Sequence, residues 1–450
     1  MDRRKLIKSL ALTGTAPLLS FNTFQAKAKD EGMFAEPAKE IRIAEETDVI
    51  VCGGGPAGIA AAISSARSGA KTRLIEFNGC LGGIWTAGLL SNLIDHENKP
   101  GIMREIVDRL VASDAQMTAK NYDAEAMKVL LDKMCKEAGV DVRLHTRVVA
   151  AYTDRYNRLE TIITESQTGR EAWKAKAFID ASGNGDLAAQ AGCSFDFGHP
   201  DSGKYQPSSM MAILTGLDYD VMYENRLFRR EGIVGREHKI KLRDEIRKGG
   251  IDPSYGLPTL FPIRKDLFAM MANHEYNTHP LDAQQLTDAT MQSRIEVNDI
   301  IDGLRSNGGI WKDIRIVATS EHIGMREGRR IKGQYTITKE DLIKGSTFKD
   351  AVCRVDFGVD VHSIDPNVSK GITNEGVRAK PYDIPVRSLI AKDVGGLMMA
   401  GRCISGDFLA HSSYRVTGNA VAMGEAAGMV SASAAMKNTL PQEVSWKNPY

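Results

Sequence analysis

The chain has 450 residues, 42% of them hydrophobic, enough length and apolar content for two or three domains with cores of their own. With 58 Lys and Arg against 57 Asp and Glu, the formal net charge is +1, and no nucleic-acid partner is implied. Six cysteines (Cys52, Cys80, Cys135, Cys193, Cys353, Cys403) show neither a C-x-x-C pair nor metal-ligand spacing, so no dithiol centre and no zinc or iron–sulfur site is expected.

In chain order, Asp2-Arg3-Arg4-Lys5-Leu6-Ile7-Lys8 precedes a modestly apolar run from Leu10 to Phe21 and then Ala26-Lys27-Ala28, the layout of a cleaved export signal over residues 1–28. The paired arginines resemble a twin-arginine signal, which predicts an exported, periplasmic protein that folds around its cofactor before export. A plain basic tail is the alternative. No later segment has the ~20 uninterrupted apolar residues of a spanning helix, so no membrane span is expected once the signal is removed.

After a polar lead-in at 29–46, Val49 to Cys52 predict a buried strand. Gly53 suits the tight turn, Gly55 lets backbone N–H groups approach a pyrophosphate, and Gly58 lets the next helix pack closely. Pro56 and Ala57 open that helix, which runs to Arg67, and its N-terminus faces the phosphates. Lys71 to Ile75 predict a second strand that delivers Glu76 about twenty residues beyond the turn, where a carboxylate accepts ribose hydroxyls. Helical spacing recurs at Ile102 to Val111 and Ala124 to Ala138. Residues 140–144 and 146–149 predict a strand pair after the Gly139 cap. Ala175 to Ala181 form another strand, and the turn at 180–186 opens onto a helix at Leu187 to Ala191. Between 195 and 380 the pattern shifts to charged helices, notably Asp282 to Ser306, with scattered strands. A strand entering a Gly turn returns at 396–401, followed by a small-residue helix from Thr417 to Ala435 and a polar tail.

Three separated nucleotide-style segments favour FAD over NAD, whose fold is usually contiguous. The chain resembles FAD-dependent oxidoreductases with a nucleotide fold of the glutathione-reductase type, across most of residues 47–436. The carriers are Gly53 to Gly58, the run 81–88 (Leu-Gly-Gly-Ile-Trp-Thr-Ala-Gly), Asp180 to Gly183, Ile323 to Arg330, and Ala400-Gly401-Arg402 through Gly424 to Gly428. The resemblance implies an α/β, Rossmann-like FAD-binding domain built from discontinuous segments (47–194 and 381–437), an inserted α+β substrate domain at 195–380, and a tail at 438–450. It implies that Glu76 holds the adenosine ribose, that Gly82, Gly83 and Thr86 lie beside pyrophosphate and flavin, and that Val148 offers backbone groups to adenine, with Gly183 near the nucleotide. Thr417, Gly418 and Asn419, at a helix N-terminus, are expected at the flavin pyrimidine edge. Arg402 stands where the broader pattern has an Asp on the ribityl chain. It either contacts phosphate or ribityl oxygens or braces the loop. A second Gly-rich fingerprint and a redox Cys pair are both missing, which leaves the electron acceptor unidentified.

Oxidation of a C–H bond beside flavin needs a proton-transfer group and groups that orient the substrate. His411, in the run His411-Ser412-Ser413-Tyr414-Arg415, is the first proton-transfer candidate because imidazole titrates near neutral pH; a loop histidine held by backbone is the alternative. Arg415 is expected on a substrate oxygen or the flavin. Arg326 and Arg330 share a face at helical spacing, suited to clamping a carboxylate or pyrophosphate, or else to an interdomain ion-pair network. Asp95-His96 and Asp360-Val361-His362 are weaker candidates, better suited to structural histidines, and no metal site is expected. Cys80 is read as packing. The leading expectation is an exported FAD-dependent oxidoreductase that moves hydride on a small polar or sugar-like substrate. A flavin-dependent isomerase or lyase and a non-catalytic electron-transfer subunit stay open beside it.

Overall fold

Strand β1 (Ile43–Cys52) extends the expected 49–52 run toward the N-terminus, and Val49, Ile50 and Val51 are fully buried. In the computed structural model residues 36–118, 120–228 and 235–450 are described, and the expected export signal at 1–28 lies outside them. The chain divides into a unit ending at Arg42, whose described residues 36–42 contain no helix or strand, and a unit spanning Ile43–Tyr450. The second unit carries everything that follows.

Helix α1 (Pro56–Arg67) starts with Pro at its first turn, where a missing N–H costs nothing. It leads into β2 (Thr72–Ile75). Helix α2 (Ile102–Ala112) and helix α3 (Ala124–Ala138) follow, the latter capped by the Asp123 carboxylate on the Glu125 and Ala126 N–H groups and ended by Gly139. Then come β3 (Asp141–Arg143), β4 (Arg147–Thr153), β5 (Leu159–Ser166) and β6 (Gly169–Asp180). The sheet order is β3-β2-β1-β6-β5-β4, parallel from β3 to β6 and antiparallel from β6 to β4. This corrects the expected pairing of 140–144 with 146–149. The backbone of β3 is satisfied by β2, with Arg73 opposite Asp141 and Ile75 opposite Arg143, while β4 pairs with β5.

The short helix α4 (Asp186–Gln190) follows β6, and Asp180 helps to hold it by accepting the Ala188 N–H at 2.8 Å. A second, four-stranded antiparallel sheet comprises β7 (Met211–Thr215), β8 (Thr259–Arg264), β9 (Leu267–Met271) and β10 (Arg315–Thr319), in the order β10-β7-β9-β8. Leu242 and Ile246 of α5 (Arg236–Lys248) and Val297, Ile301 and Leu304 of α6 (Ala283–Ser306) bury its Leu214, Phe268 and Met270. Each such burial is worth about 1.5–3 kcal/mol. Ile331, Val352, Val361 and Ile384 instead join the core of the first sheet.

Strand β11 (Leu397–Met399) returns to pair in parallel with Phe178–Asp180 of β6, beyond the stretch that β5 occupies. Helices α7 (Phe408–Tyr414) and α8 (Thr417–Lys437) complete the unit. Helix α8 lies against α1 backbone to backbone, and a Cβ on Gly424 would fall 2.0 Å from the Ala57 carbonyl oxygen. The last residues dock as well: Trp446 donates to the Ala351 carbonyl at 3.0 Å and Tyr450 to Glu425 at 2.6 Å.

Candidate functional site

The crossover between β1 and α1 is shaped by what its glycines exclude. Gly53 has φ +102°, and a Cβ there would meet the Ala181 carbonyl oxygen at 2.5 Å; a Cβ on Gly58 would overlap the Gly53 carbonyl oxygen at 1.7 Å. Gly55 differs, because a Cβ there would meet nothing within 4 Å. The turn is therefore closed toward the protein and open on the side where backbone would approach a pyrophosphate. The Gly82-Gly83 turn is fixed against it by a bond from the Gly82 N–H to the Gly54 carbonyl at 2.8 Å, and the Thr86 hydroxyl closes the same turn on the Leu81 carbonyl at 2.5 Å.

Glu76 is buried, with one carboxylate oxygen on the Gly54 N–H and the other accepting from Asn78 N–H and Nδ2, both at 2.7 Å. Its carboxylate thus organises the crossover directly. Val148 is half-buried in β4, and its carbonyl accepts from Gln190 at 3.3 Å. Arg402 donates to the Gly183 carbonyl at 2.9 Å, to Asn184 Oδ1 at 2.6 Å and to the Met325 carbonyl. It ties the loops after β6 and β10 together, the bracing alternative. At the start of α8, the Gly418 N–H donates to the Ile94 carbonyl at 2.9 Å, which removes one of the N–H groups expected for flavin. The Thr417 hydroxyl and both Asn419 amide atoms are buried without a partner, as is the indole N–H of Trp85 beside the Gly83 turn. Such atoms are costly unless a ligand or water meets them. Open space at Gly55 together with these orphaned groups fits a dinucleotide held between the crossover and α8.

Past the N-terminal end of α8 lies a buried polar cluster drawn from four parts of the chain. His362 Nε2 is 3.5 Å from Asp360 Oδ2, His362 Nδ1 is 2.9 Å from His274 Nε2, and His274 Nδ1 is 3.1 Å from the Tyr276 hydroxyl. Tyr255 covers the His274 ring at 4.2 Å between centroids. Arg415 reaches the Asp360 carbonyl at 2.8 Å and its carboxylate at 3.3 Å. Arg326 donates to the Pro207 carbonyl at 2.6 Å and to Ser209 Oγ at 3.0 Å. Burial and the Arg326 charge push His362 down to about 3, despite Asp360, and push His274 well below the usual histidine range. A hydrogen bond from His362 and the Arg415 and Arg326 charges outweigh the desolvation of Asp360 and hold its carboxyl well below the usual carboxylate range.

Two expectations are corrected here. His411 does not titrate near neutral pH: it is fully buried in α7, and desolvation together with Arg330, Arg415 and Arg402 pushes it well below the usual histidine range. Residues 324–329 form no helix, so Arg326 and Arg330 do not share a helical face. Arg330 turns instead to the Gly198 carbonyl at 3.0 Å and to Glu327 at 3.5 Å, while Arg329 pairs with Asp186 at 2.8 Å. Asp360 and His362, weaker candidates in the sequence, sit at the centre of the cluster. His274 was missed, since an isolated Asn-His-Glu-Tyr run shows no partner 88 residues away. Asp95 and His96 are buried apart from that chain. No group of three potential metal ligands occurs among the described residues. No helix among the described residues is long and apolar enough to cross a membrane.

Among solved structures the chain is similar to a geranylgeranyl bacteriochlorophyll reductase-like protein from Thermoplasma acidophilum, at 14% identity and TM-score 0.46, covering 88% of this chain and 80% of that one. A flavin-dependent brominase, Bmp2, as a triple mutant, matches at 12% identity and TM-score 0.47, with 90% and 82% covered. A myxobacterial chondrochloren halogenase matches at 12% identity and TM-score 0.47, with 89% and 76% covered. No match was found among curated proteins. The family model for FAD dependent oxidoreductases matches residues 48–448, from the end of β1 to the docked tail. The chain belongs to the FAD-dependent oxidoreductase family, and FAD is its cofactor.

Proposed function

We propose that the protein oxidises a small, polar, hydroxyl-bearing substrate, and that the Asp360–His362–His274–Tyr276 chain carries away the hydroxyl proton. The observation that carries this reading is the continuous set of contacts from buried His362 to half-buried Tyr276. FAD, when bound, supplies a two-electron acceptor for the hydride that leaves the substrate carbon. Gly53 to Gly58, Glu76, Gly82, Gly83, Thr86 and the Thr417 to Asn419 turn would hold it, in a nucleotide fold of the glutathione-reductase type. The parallel strands β3-β2-β1-β6-β11 with an antiparallel extension support that subclass.

The chain's own residues account for the proton. The substrate hydroxyl gives its proton to the oxygen of half-buried Tyr276, and the Tyr276 hydroxyl proton passes to His274 Nδ1. The Nε2 proton of His274 then passes to His362 Nδ1, and ionised Asp360, which faces the His362 Nε2 proton, stabilises the imidazolium on which the proton comes to rest. Arg415 holds Asp360 in place. An unidentified acceptor regenerates the oxidised cofactor, and the twin-arginine-like segment supports a periplasmic setting.

Anaerobic addition of sugars, polyols and hydroxy acids to the purified holoenzyme tests the proposal. Bleaching of flavin absorbance by one of these classes, slowed in His362→Asn with FAD content unchanged, is the expected result. Absence of bleaching with every class, or product formed while the flavin stays oxidised, would overturn it, the latter in favour of an isomerase.

A further inference from the structure

Four largely buried arginines, Arg326, Arg330, Arg402 and Arg415, surround the start of α8: Arg415 has Asp360 at 3.3 Å, Arg330 has Glu327 at 3.5 Å, and Arg402, without a carboxylate, is met by the Gly183 and Met325 carbonyls and Asn184 Oδ1. Arg326 is the exception. It is 8% exposed as a residue, yet the partners of its guanidinium are the Pro207 carbonyl, Ser209 Oγ and, at 3.6 Å from Nη2, the Met271 thioether. A thioether is a weak acceptor, so Nη2 is under-satisfied, and among the described residues no carboxylate lies within ion-pair distance of Arg326. A buried cation with no directly paired carboxylate is expensive, and burial with the nearby Arg415 lowers Arg326 to about 10 although the Asp360 charge acts in the opposite sense. The hydroxyl of Tyr255, on the ring that covers His274, is also buried without a partner. The two unmet groups flank the histidine pair, and both can donate.

We propose that the substrate of this site is a hydroxy acid, and that Arg326 is the residue that binds its carboxylate, with Tyr255 as a second donor. The proposal rests on the oxidation reading above and narrows its substrate class. A guanidinium is the group best shaped for this, since it offers parallel N–H donors to two carboxylate oxygens. The segment carrying Arg326 is held at both ends: Arg402 bridges the Met325 and Gly183 carbonyls, and the Gly324 N–H donates to the Ser209 carbonyl at 2.8 Å, just before β7. The anion also has an electrostatic consequence. Burial is the larger cause that holds His362 and His274 neutral and the Arg326 charge adds to it; a bound carboxylate offsets that charge and makes the pair more basic when substrate is present. Among the described residues the charged and titratable groups facing His362 are Arg326, Arg415, Asp360, His274 and Tyr255, and the positive charge among them without a paired carboxylate is Arg326.

Oxalate, a carboxylate without a C–H bond to oxidise, and its neutral isostere oxamide are suitable probes, titrated into the FAD-loaded protein by calorimetry. Oxalate is expected to bind at least about tenfold more tightly than oxamide, and Arg326→Gln to erase that preference while Arg326→Lys keeps part of it. With a hydroxy acid that bleaches the flavin, Arg326→Gln should raise KM more than it lowers kcat and shift the acid limb of kcat/KM to higher pH. Equal affinity of the wild-type protein for oxalate and oxamide overturns the proposal, as does oxalate affinity unchanged in a folded Arg326→Gln protein. Bleaching by neutral polyols together with oxalate indifference sinks the anion proposal and leaves the oxidation reading standing. Arg326-dependent oxalate binding without bleaching by any substrate sinks the oxidation reading alone.

Discussion

The β1–α1 crossover and the histidine–arginine cluster hold their shapes by opposite means. In the crossover, backbone meets backbone with no room for a side chain at Gly53 or Gly58, and specificity comes from steric exclusion. In the cluster, long side chains from residues 255–276, 326, 360–362 and 415 are set by hydrogen bonds and charge, with the aromatic face of Tyr255 as a lid on one ring. The first should be brittle toward volume and indifferent to pH. The second should tolerate isosteric replacement in folding while losing function, and should respond to pH.

The largest expected effect is on the crossover. Gly58→Ala puts a carbon 1.7 Å from the Gly53 oxygen, beyond the about 1–3 kcal/mol of ordinary overpacking, and should yield protein that neither folds normally nor retains FAD, checked by circular dichroism and flavin absorbance. Gly55→Ala breaks the comparison if it behaves the same way. With open space at that Cβ, the variant should keep the wild-type melting temperature without FAD and lose only affinity for the cofactor, measured by fluorescence titration. In the cluster, His362→Asn should lower single-turnover flavin reduction by about 10²–10⁴-fold with FAD content intact.

Stability should also fall in acid. His362 and His274 are held below the ordinary 6.5, and for His362 the unfolded chain binds more protons than the folded one between that value and about 3. The His362 contribution is complete above pH 6.5 and is lost as pH falls toward 3, with His274 acting in the same direction, a loss that His362→Asn should lessen in denaturant titrations. The smallest effect has the opposite sign. Burial raises Glu275, next to the cluster, to about 7, so its charged form opposes folding as pH climbs through 4.5 to 7. Glu275→Gln should raise the melting temperature at pH 8 and have little effect at pH 4.

The crossover was legible in the sequence because its chemistry is local: six residues from Gly53 to Gly58 contain the turn, the opening and the close-packing position, and strand and helix periodicity flank them. The long helices were equally plain, with Asp282 and Asp123 marking N-terminal caps. The cluster was not legible, since His274 and His362 become partners only through the fold, and nothing in a single sequence ranks His362 above His411. His411 looked reactive because its neighbours are polar in sequence. In space three arginines and full burial keep it neutral. The separate placement of β3 and β4 was hidden for a similar reason: adjacency in sequence suggests a hairpin, whereas the empty edge of β2 takes β3. The expected substrate range 195–380 likewise spans both apolar cores, because hydrophobic pattern does not say which sheet a strand will cover.

Strand β6 divides one of its edges between β5, made just before it, and β11, made more than 200 residues later. On a ribosome this fixes a schedule. The antiparallel meander can form as soon as residue 180 has emerged, but the half of β6 that ends at Asp180 waits with an open edge until residues 397–399 appear, and the helix at 417–437 that seals α1 comes later still. With FAD placed as proposed, between the crossover and α8, its site is incomplete in any nascent chain short of nearly full length. Loading with FAD is therefore an event of the finished polypeptide, and a chain truncated before α8 should accumulate a formed meander with no capacity to hold the cofactor.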